Sequence, residues 1–165
     1  MSTETAQEGQ ERVVISTFVE RTPDDAFEIF TRDIDLWWKR SPRYRRMPGQ
    51  TGKLSFEGAP PERLVERLEE DRAVTHVVGR VLAWEVGKRL AFEWSGGELS
   101  ELDQTAVEVR FEAHRNGTRV TLEHRGLGTL PAAHPARRGF SGEAFEAMFG
   151  YFWADLITGF RMHCG

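Results

Sequence analysis

The sequence predicts an α+β fold in which a strongly curved, seven-stranded antiparallel sheet wraps around one long C-terminal helix. Three observations carry this expectation. Residues 143–162, EAFEAMFGYFWADLITGFRM, place Phe145, Met148, Phe149, Phe152, Trp153, Leu156, Ile157 and Phe160 at the i, i+3, i+4, i+7 spacing of one helical face. Most of the remaining chain alternates apolar and polar residues with the period of two that marks half-buried strands. Short turn signals separate those strands, so neighbours run antiparallel, with one face wet and one face buried. The long helix is the only element able to cover the buried face.

Residues 12–20, RVVISTFVE, put Val13, Ile15, Thr17 and Val19 on one parity and form the first strand. Thr22-Pro23-Asp24-Asp25 then opens a helix, with Thr22 as cap, Pro23 in the first turn and two Asp at the positive end of the dipole. Ala26, Phe27, Ile29 and Phe30 are its apolar side, and Ile34, Leu36, Trp37 and Trp38 belong to a second short helix. The basic stretch 39–46, KRSPRYRR, reads as a solvated loop, with an anion contact as the functional alternative. Strands are expected at 51–56 and 62–69, broken by Gly58-Ala59-Pro60-Pro61, and Glu69-Glu70-Asp71-Arg72 is a charged hairpin tip. Residues 74–86 make a long strand. Gly87-Lys88 turns the chain into a strand with Leu90, Phe92 and Trp94 on one face. After a Gly-rich loop at 95–101, Thr105, Val107, Val109 and Phe111 point inward, and Glu108, Arg110 and Glu112 outward. Asn116-Gly117 is the strongest short hairpin signal. It leads into Val120, Leu122 and His124 on the inward parity. An irregular segment at 126–142 precedes the helix, for which Ser141 is the expected N-cap. Gly159 lies near the apolar face of that helix, where a missing side chain leaves room for another group.

The 165 residues suit one domain at 12–165 behind a polar, disordered lead-in at 1–11. A net charge of −4 gives no reason to expect nucleic acid as a partner. The absence of an apolar run long enough for a span argues against membrane insertion. The single cysteine, Cys164, excludes an internal disulfide and fits a reducing cytoplasm. Eleven Phe, five Trp and two Tyr give unusual bulk for filling a core or lining a pocket.

Three motifs in order resemble one family. Pro23-Asp24-Asp25-Ala26-Phe27-Glu28-Ile29-Phe30-Thr31 followed by Leu36-Trp37-Trp38 is similar to the opening of START-like helix-grip (SRPBCC) proteins. Gly79-Arg80-Val81-Leu82-Ala83-Trp84-Glu85 with Arg89-Leu90-Ala91-Phe92-Glu93-Trp94 resembles their central hairpin, with Val86-Gly87-Lys88 in place of the usual Pro-Pro turn. Residues 117–126, GTRVTLEHRG, resemble their penultimate strand. The branch is that of activator of heat shock protein 90 ATPase homologue-like proteins, and the resemblance spans about residues 12 to 162. It implies the helix-grip fold and leaves function open among hydrophobe carriers, aromatase/cyclase-like enzymes and cochaperone-like modules. The final helix is richer in Phe and Trp than the family pattern, which implies a smaller or reshaped cavity.

For function, the residues favour non-catalytic binding of a small hydrophobic or amphipathic molecule between helix and sheet. The alternatives are an interaction module, with a chaperone as possible partner, or a cyclase-like enzyme. No phosphate loop, nucleophile elbow, zinc motif or paired carboxylates are visible, so no catalytic residue, metal or cofactor is expected. The expected lining is Trp37, Trp38 and Phe56, then Arg80, Leu82, Trp84, Phe92, Trp94, Val109, Phe111 and His124 from the sheet. Phe145, Phe149, Phe152 and Leu156 complete it from the helix. Strand alternation makes Arg80 and His124 the polar contacts, with His76 on the same parity and a bulge at Gly79 as the feature able to turn Arg80 out. Ligand identity is not encoded in any motif, and either a monomer or a homodimer is compatible with the sequence.

Overall fold

A computed structural model describes residues 11–41, 43–45, 52–68, 70–73, 75–96 and 98–165. The expected lead-in up to residue 10, together with Pro42, Arg46, Thr51, Glu69 and Val74, lies outside the described residues. The strands are β1 (Val13–Val19), β2 (Gly52–Gly58), β3 (Pro61–Leu68), β4 (Thr75–Glu85), β5 (Arg89–Trp94), β6 (Thr105–His114) and β7 (Gly117–Arg125). They form one open seven-stranded sheet in the order β1-β7-β6-β5-β4-β3-β2, with every neighbouring pair antiparallel. Helices α1 (Pro23–Arg32) and α2 (Ile34–Trp37) come after β1, and α3 (Gly142–Cys164) closes the chain. This is the α+β helix-grip architecture. Among the described residues no helix is long and apolar enough to cross a membrane.

The period-two patterns hold where the strands are regular. In β6 and β7, Val107, Val109, Phe111, Val120, Leu122 and His124 are buried on the helix side. Glu108 and Glu123 lie on the opposite face but are also buried, because Arg89, Arg110 and Arg125 lie over Glu108 while Arg12 and Arg125 hold Glu123. The two carboxylates face each other across the β6–β7 pair, so the arginines neutralise what would otherwise be a like-charge cross-strand contact.

Strand β4 breaks the alternation twice. Leu64 pairs with Gly79 and Val65 with Val77, leaving Val78 as an extra residue; Val81 pairs with Phe92 and Ala83 with Ala91, leaving Leu82 extra. Each bulge reverses the parity of the residues beyond it. Arg80 and Leu82 therefore point away from the core, contrary to the alternation, while Trp84, beyond both bulges, returns inward to pack on Phe27 and Phe56. The Arg80 side chain is 75% exposed and paired with Glu93 at 2.7 Å, and Leu82 is 53% exposed. Gly79 is required there: a Cβ would lie 1.8 Å from the Glu93 carbonyl oxygen.

Two turn expectations also change in detail. His114 pairs with Gly117, so the β6–β7 turn is Arg115-Asn116, and Gly117 already belongs to β7. It is glycine because a Cβ would meet the Val19 carbonyl oxygen at 2.2 Å. At the start of α3, Ser141 occupies the cap position without a side-chain hydrogen bond. The Gly142 N–H donates instead to the Glu11 carboxylate, which a helix N-terminus favours electrostatically. The room left by Gly159 is taken by the chain itself, since a Cβ would approach the Trp37 carbonyl oxygen to 3.1 Å.

The basic stretch after α2 is not simply solvated. The buried Arg45 guanidinium donates to the carbonyls of Trp38, Gly52 and Asp35 and to the Asp35 carboxylate. Lys39 and the Tyr44 hydroxyl both donate to Asp155 on α3. This segment is thereby strapped across the helix.

Candidate functional site

The space between α3 and the sheet is largely occupied by the protein's own aromatic side chains. Trp153 on α3 lies 5.0 Å from Trp94 and 5.9 Å from Trp38, centroid to centroid, and Trp38 lies 5.6 Å from Trp94. Deeper in, Phe30, Trp37 and Phe160 pack within 5.4 Å of one another. The indole N–H groups are satisfied internally, Trp37 by the Phe30 carbonyl and Trp38 by the Tyr44 carbonyl, each at 3.0 Å. Trp37, Trp38, Phe92, Trp94, Val109, Phe111, Phe145 and Leu156 are thus core. Phe56 and Trp84 are half-buried and pack against each other at 5.3 Å.

His124 is the polar centre of this packing and is 1% exposed. The Trp153 indole N–H donates to its Nδ1 at 3.0 Å. The ring proton must then sit on Nε2, which donates to the Thr105 hydroxyl at 3.0 Å. That hydroxyl in turn donates to the Trp94 carbonyl at 3.3 Å. The chain ties α3, β7, β6 and β5 together and leaves His124 no free lone pair for a ligand. Burial pushes its pKa down to about 3. His76, the other histidine on a candidate parity, shares a hydrogen bond with the Ser95 carbonyl.

The buried neutral imidazole makes stability depend on pH. The unfolded chain binds a proton at His124 near the ordinary value of about 6.5, whereas the folded chain resists protonation until about pH 3. Stability contributed by this group is complete above about pH 6.5 and is lost as pH falls through that window, by about 1.4 kcal/mol per unit. Urea midpoints from pH 7 to pH 4 should fall accordingly, and His124→Gln should flatten that part of the profile. An unchanged slope in the variant would show that other groups set it.

Among the concavities of the described residues, one cleft of about 490 Å³ lies at the N-terminal half of α3. Met148, Phe149 and Phe152 form its floor. Glu98, Leu99, Ala136, Arg138 and Arg43 from the irregular segments complete its lining. Phe149 and Phe152 are half-buried, unlike Phe145 and Leu156 on the same helix. The helix turns its most buried stripe, Phe145, Trp153, Leu156, Ile157 and Phe160, to the sheet, and Met148, Phe149 and Phe152 flank it. Behind Ala136, His134 accepts the Ala136 N–H at Nδ1, and its Nε2 faces Asp103 at 2.9 Å. Beside the cleft the Tyr44 ring packs on Phe152 at 4.9 Å, tilted by 37°. Burial and the hydrogen bond to Asp155 push the Tyr44 phenol up to about 12. Among the described residues no group of three metal-ligating side chains converges.

A family model described as Activator of Hsp90 ATPase homolog 1-like protein matches residues 20–151. The chain belongs to that family. No curated protein matches it. Solved structures share the helix-grip fold of the Activator of Hsp90 ATPase homolog 1-like proteins at low identity. CalU16 from Micromonospora echinospora is 16% identical with a TM-score of 0.55, over 93% of this chain and 76% of that one. The Aha1 dimer from Colwellia psychrerythraea is 13% identical with a TM-score of 0.54, over 91% and 92%. Txn09, an anthrahydroquino-gamma-pyrone synthase, is 23% identical with a TM-score of 0.54, over 93% and 97%.

Of the residues singled out from sequence, Phe149 and Phe152 line the cleft. The side chains of Arg80 and Leu82 point to the outer face of the sheet, and His124 is locked within the core. Arg43, Glu98, Leu99, Ala136 and Arg138 escaped strand alternation because they lie in irregular segments between the regular elements. For Glu98, Leu99, Ala136 and Arg138 the available signal was the length of the segments at 95–104 and 126–141, since long irregular stretches in a compact fold are often functional.

Proposed function

We propose that this member of the Activator of Hsp90 ATPase homolog 1-like family reversibly binds a small hydrophobic molecule in the cleft at Met148, Phe149 and Phe152, without chemistry of its own. The observation that supports this reading is the half-buried apolar floor in a concavity of about 490 Å³. That volume falls within the range of small-molecule sites, and an apolar lining with a few polar groups at the margin is their usual construction. The fold alone does not choose a function, because neighbours of this shape include both a synthase and an Aha1 dimer. The cleft differs from the cavity the sequence suggested. It lies at the mouth of the grip, because Trp38, Trp94 and Trp153 occupy the interior.

Titration with the neutral, polarity-sensitive dye N-phenyl-1-naphthylamine tests the reading. Saturable binding at micromolar dye is expected. Met148→Glu should weaken it by at least about tenfold, since it sets a carboxylate against the apolar floor. Absence of any response from the folded protein would overturn the carrier reading in favour of an interaction module.

A further inference from the structure

We infer that the cleft selects ligands bearing an acidic group, an aromatic or alicyclic carboxylate or sulfonate, with Arg43 and Arg138 as the residues that read the charge. The inference rests on the cleft-binding reading above and adds the ligand's charge class. Two guanidinium groups and one carboxylate, Glu98, line the cleft, so its margin carries a net positive charge within a chain of net charge −4. Neither arginine is held firmly. Arg138 faces Glu98 at 3.9 Å with both side chains substantially exposed, a long pair of the kind that contributes little. Arg43 lies over the Tyr44 ring at 5.6 Å, and no carboxylate among the described residues forms an ion pair with it. The nearby Asp155 is already engaged by Lys39 and Tyr44.

Other arginines of this protein show the contrast. Arg45 and Arg137 are buried and saturated by carbonyls and carboxylates, and Arg89, Arg110 and Arg125 are held on the outer sheet face by Glu108. The pair at the cleft instead combines an apolar floor with cations able to turn toward it. A planar guanidinium matches a carboxylate or sulfonate in two-point geometry. Glu98 then acts as a competitor: it screens Arg138 in the empty cleft and repels an incoming anion. Its removal should improve acid binding, an effect that a merely structural Glu98–Arg138 pair would not produce.

The experiment compares 1-anilinonaphthalene-8-sulfonate with N-phenyl-1-naphthylamine, which shares the ring skeleton and lacks the sulfonate. The wild type should bind the sulfonate about fivefold more tightly, the scale of one or two exposed ion contacts. That preference should shrink as salt is raised. Arg43→Gln with Arg138→Gln should erase that difference, costing the sulfonate dye more affinity than the neutral one, and Glu98→Gln should enlarge it. Thermal melts verify that each variant is folded. Equal affinity for both dyes, or a preference unchanged in the double variant, overturns the charge selection and leaves the cleft reading standing. If neither dye binds the wild type, both fall together.

Discussion

Trp153→Ala is expected to lower stability by about 3–5 kcal/mol, a cost at the upper end for single core truncations. Trp153 is 1% exposed and contacts Trp38, Trp94, His124 and Phe152 through its ring. Its removal opens a cavity in the middle of the grip and deprives His124 Nδ1 of its donor. Trp153→Phe separates the two contributions, because it keeps most of the ring and loses the N–H. It should cost about 1–3 kcal/mol, the penalty of an unsatisfied buried acceptor. Phe152→Ala provides the contrast. Phe152 borders the cleft and is half-buried, so its truncation should cost about 1 kcal/mol, roughly half the burial energy of a full core position. Chemical denaturation of the three variants checks the ranking. Equal losses at 152 and 153 would mean that the helix is rotated from the position described.

The second large effect is expected at Arg137. This side chain is 2% exposed and forks onto both oxygens of Glu11, whose side chain is 1% exposed. It also donates to the Leu130 carbonyl and lies 4.3 Å above the Phe145 ring. Glu11 in turn receives the Gly142 N–H at the start of α3. The cluster joins the chain before β1, the irregular segment before α3 and the helix itself. Arg137→Ala strands a carboxylate in a buried setting and should cost about 3–5 kcal/mol. The pair as a whole is worth far less, since desolvation of two charges offsets most of their attraction. Glu11→Leu with Arg137→Met should therefore recover much of the loss in urea melts. A double variant as unstable as Arg137→Ala would indicate that the ion pair is a net stabiliser.

The same residues show how far the sequence could be read. Regular strands β1, β6 and β7 obey period two, so Val13, Val109, Leu122 and His124 were placeable from parity alone. The long helix was legible because its apolar spacing persists for about twenty residues, and its most buried stripe includes Trp153 and Phe160 as that spacing requires. Parity failed in β4, where two bulges intervene between Val77 and Ala83. Gly79 was the visible sign of one, but its meaning depends on the approach of the Glu93 backbone from β5, a contact that no local pattern encodes. Glu11 read as part of a polar lead-in because its partner Arg137 is 126 positions away. The cleft was the least legible feature. Its walls come from irregular segments whose side-chain directions are set by tertiary contacts such as His134 with Asp103.

Methyl-region NMR with N-phenyl-1-naphthylamine tests the central claim most directly. If the cleft is the site, the methyl signals of Met148, Leu99 and Ala136 shift on titration, while those of Leu90, Leu122 and Val109 in the filled interior stay in place. Saturating shifts confined to the interior, or to the outer face around Leu82, would contradict the account.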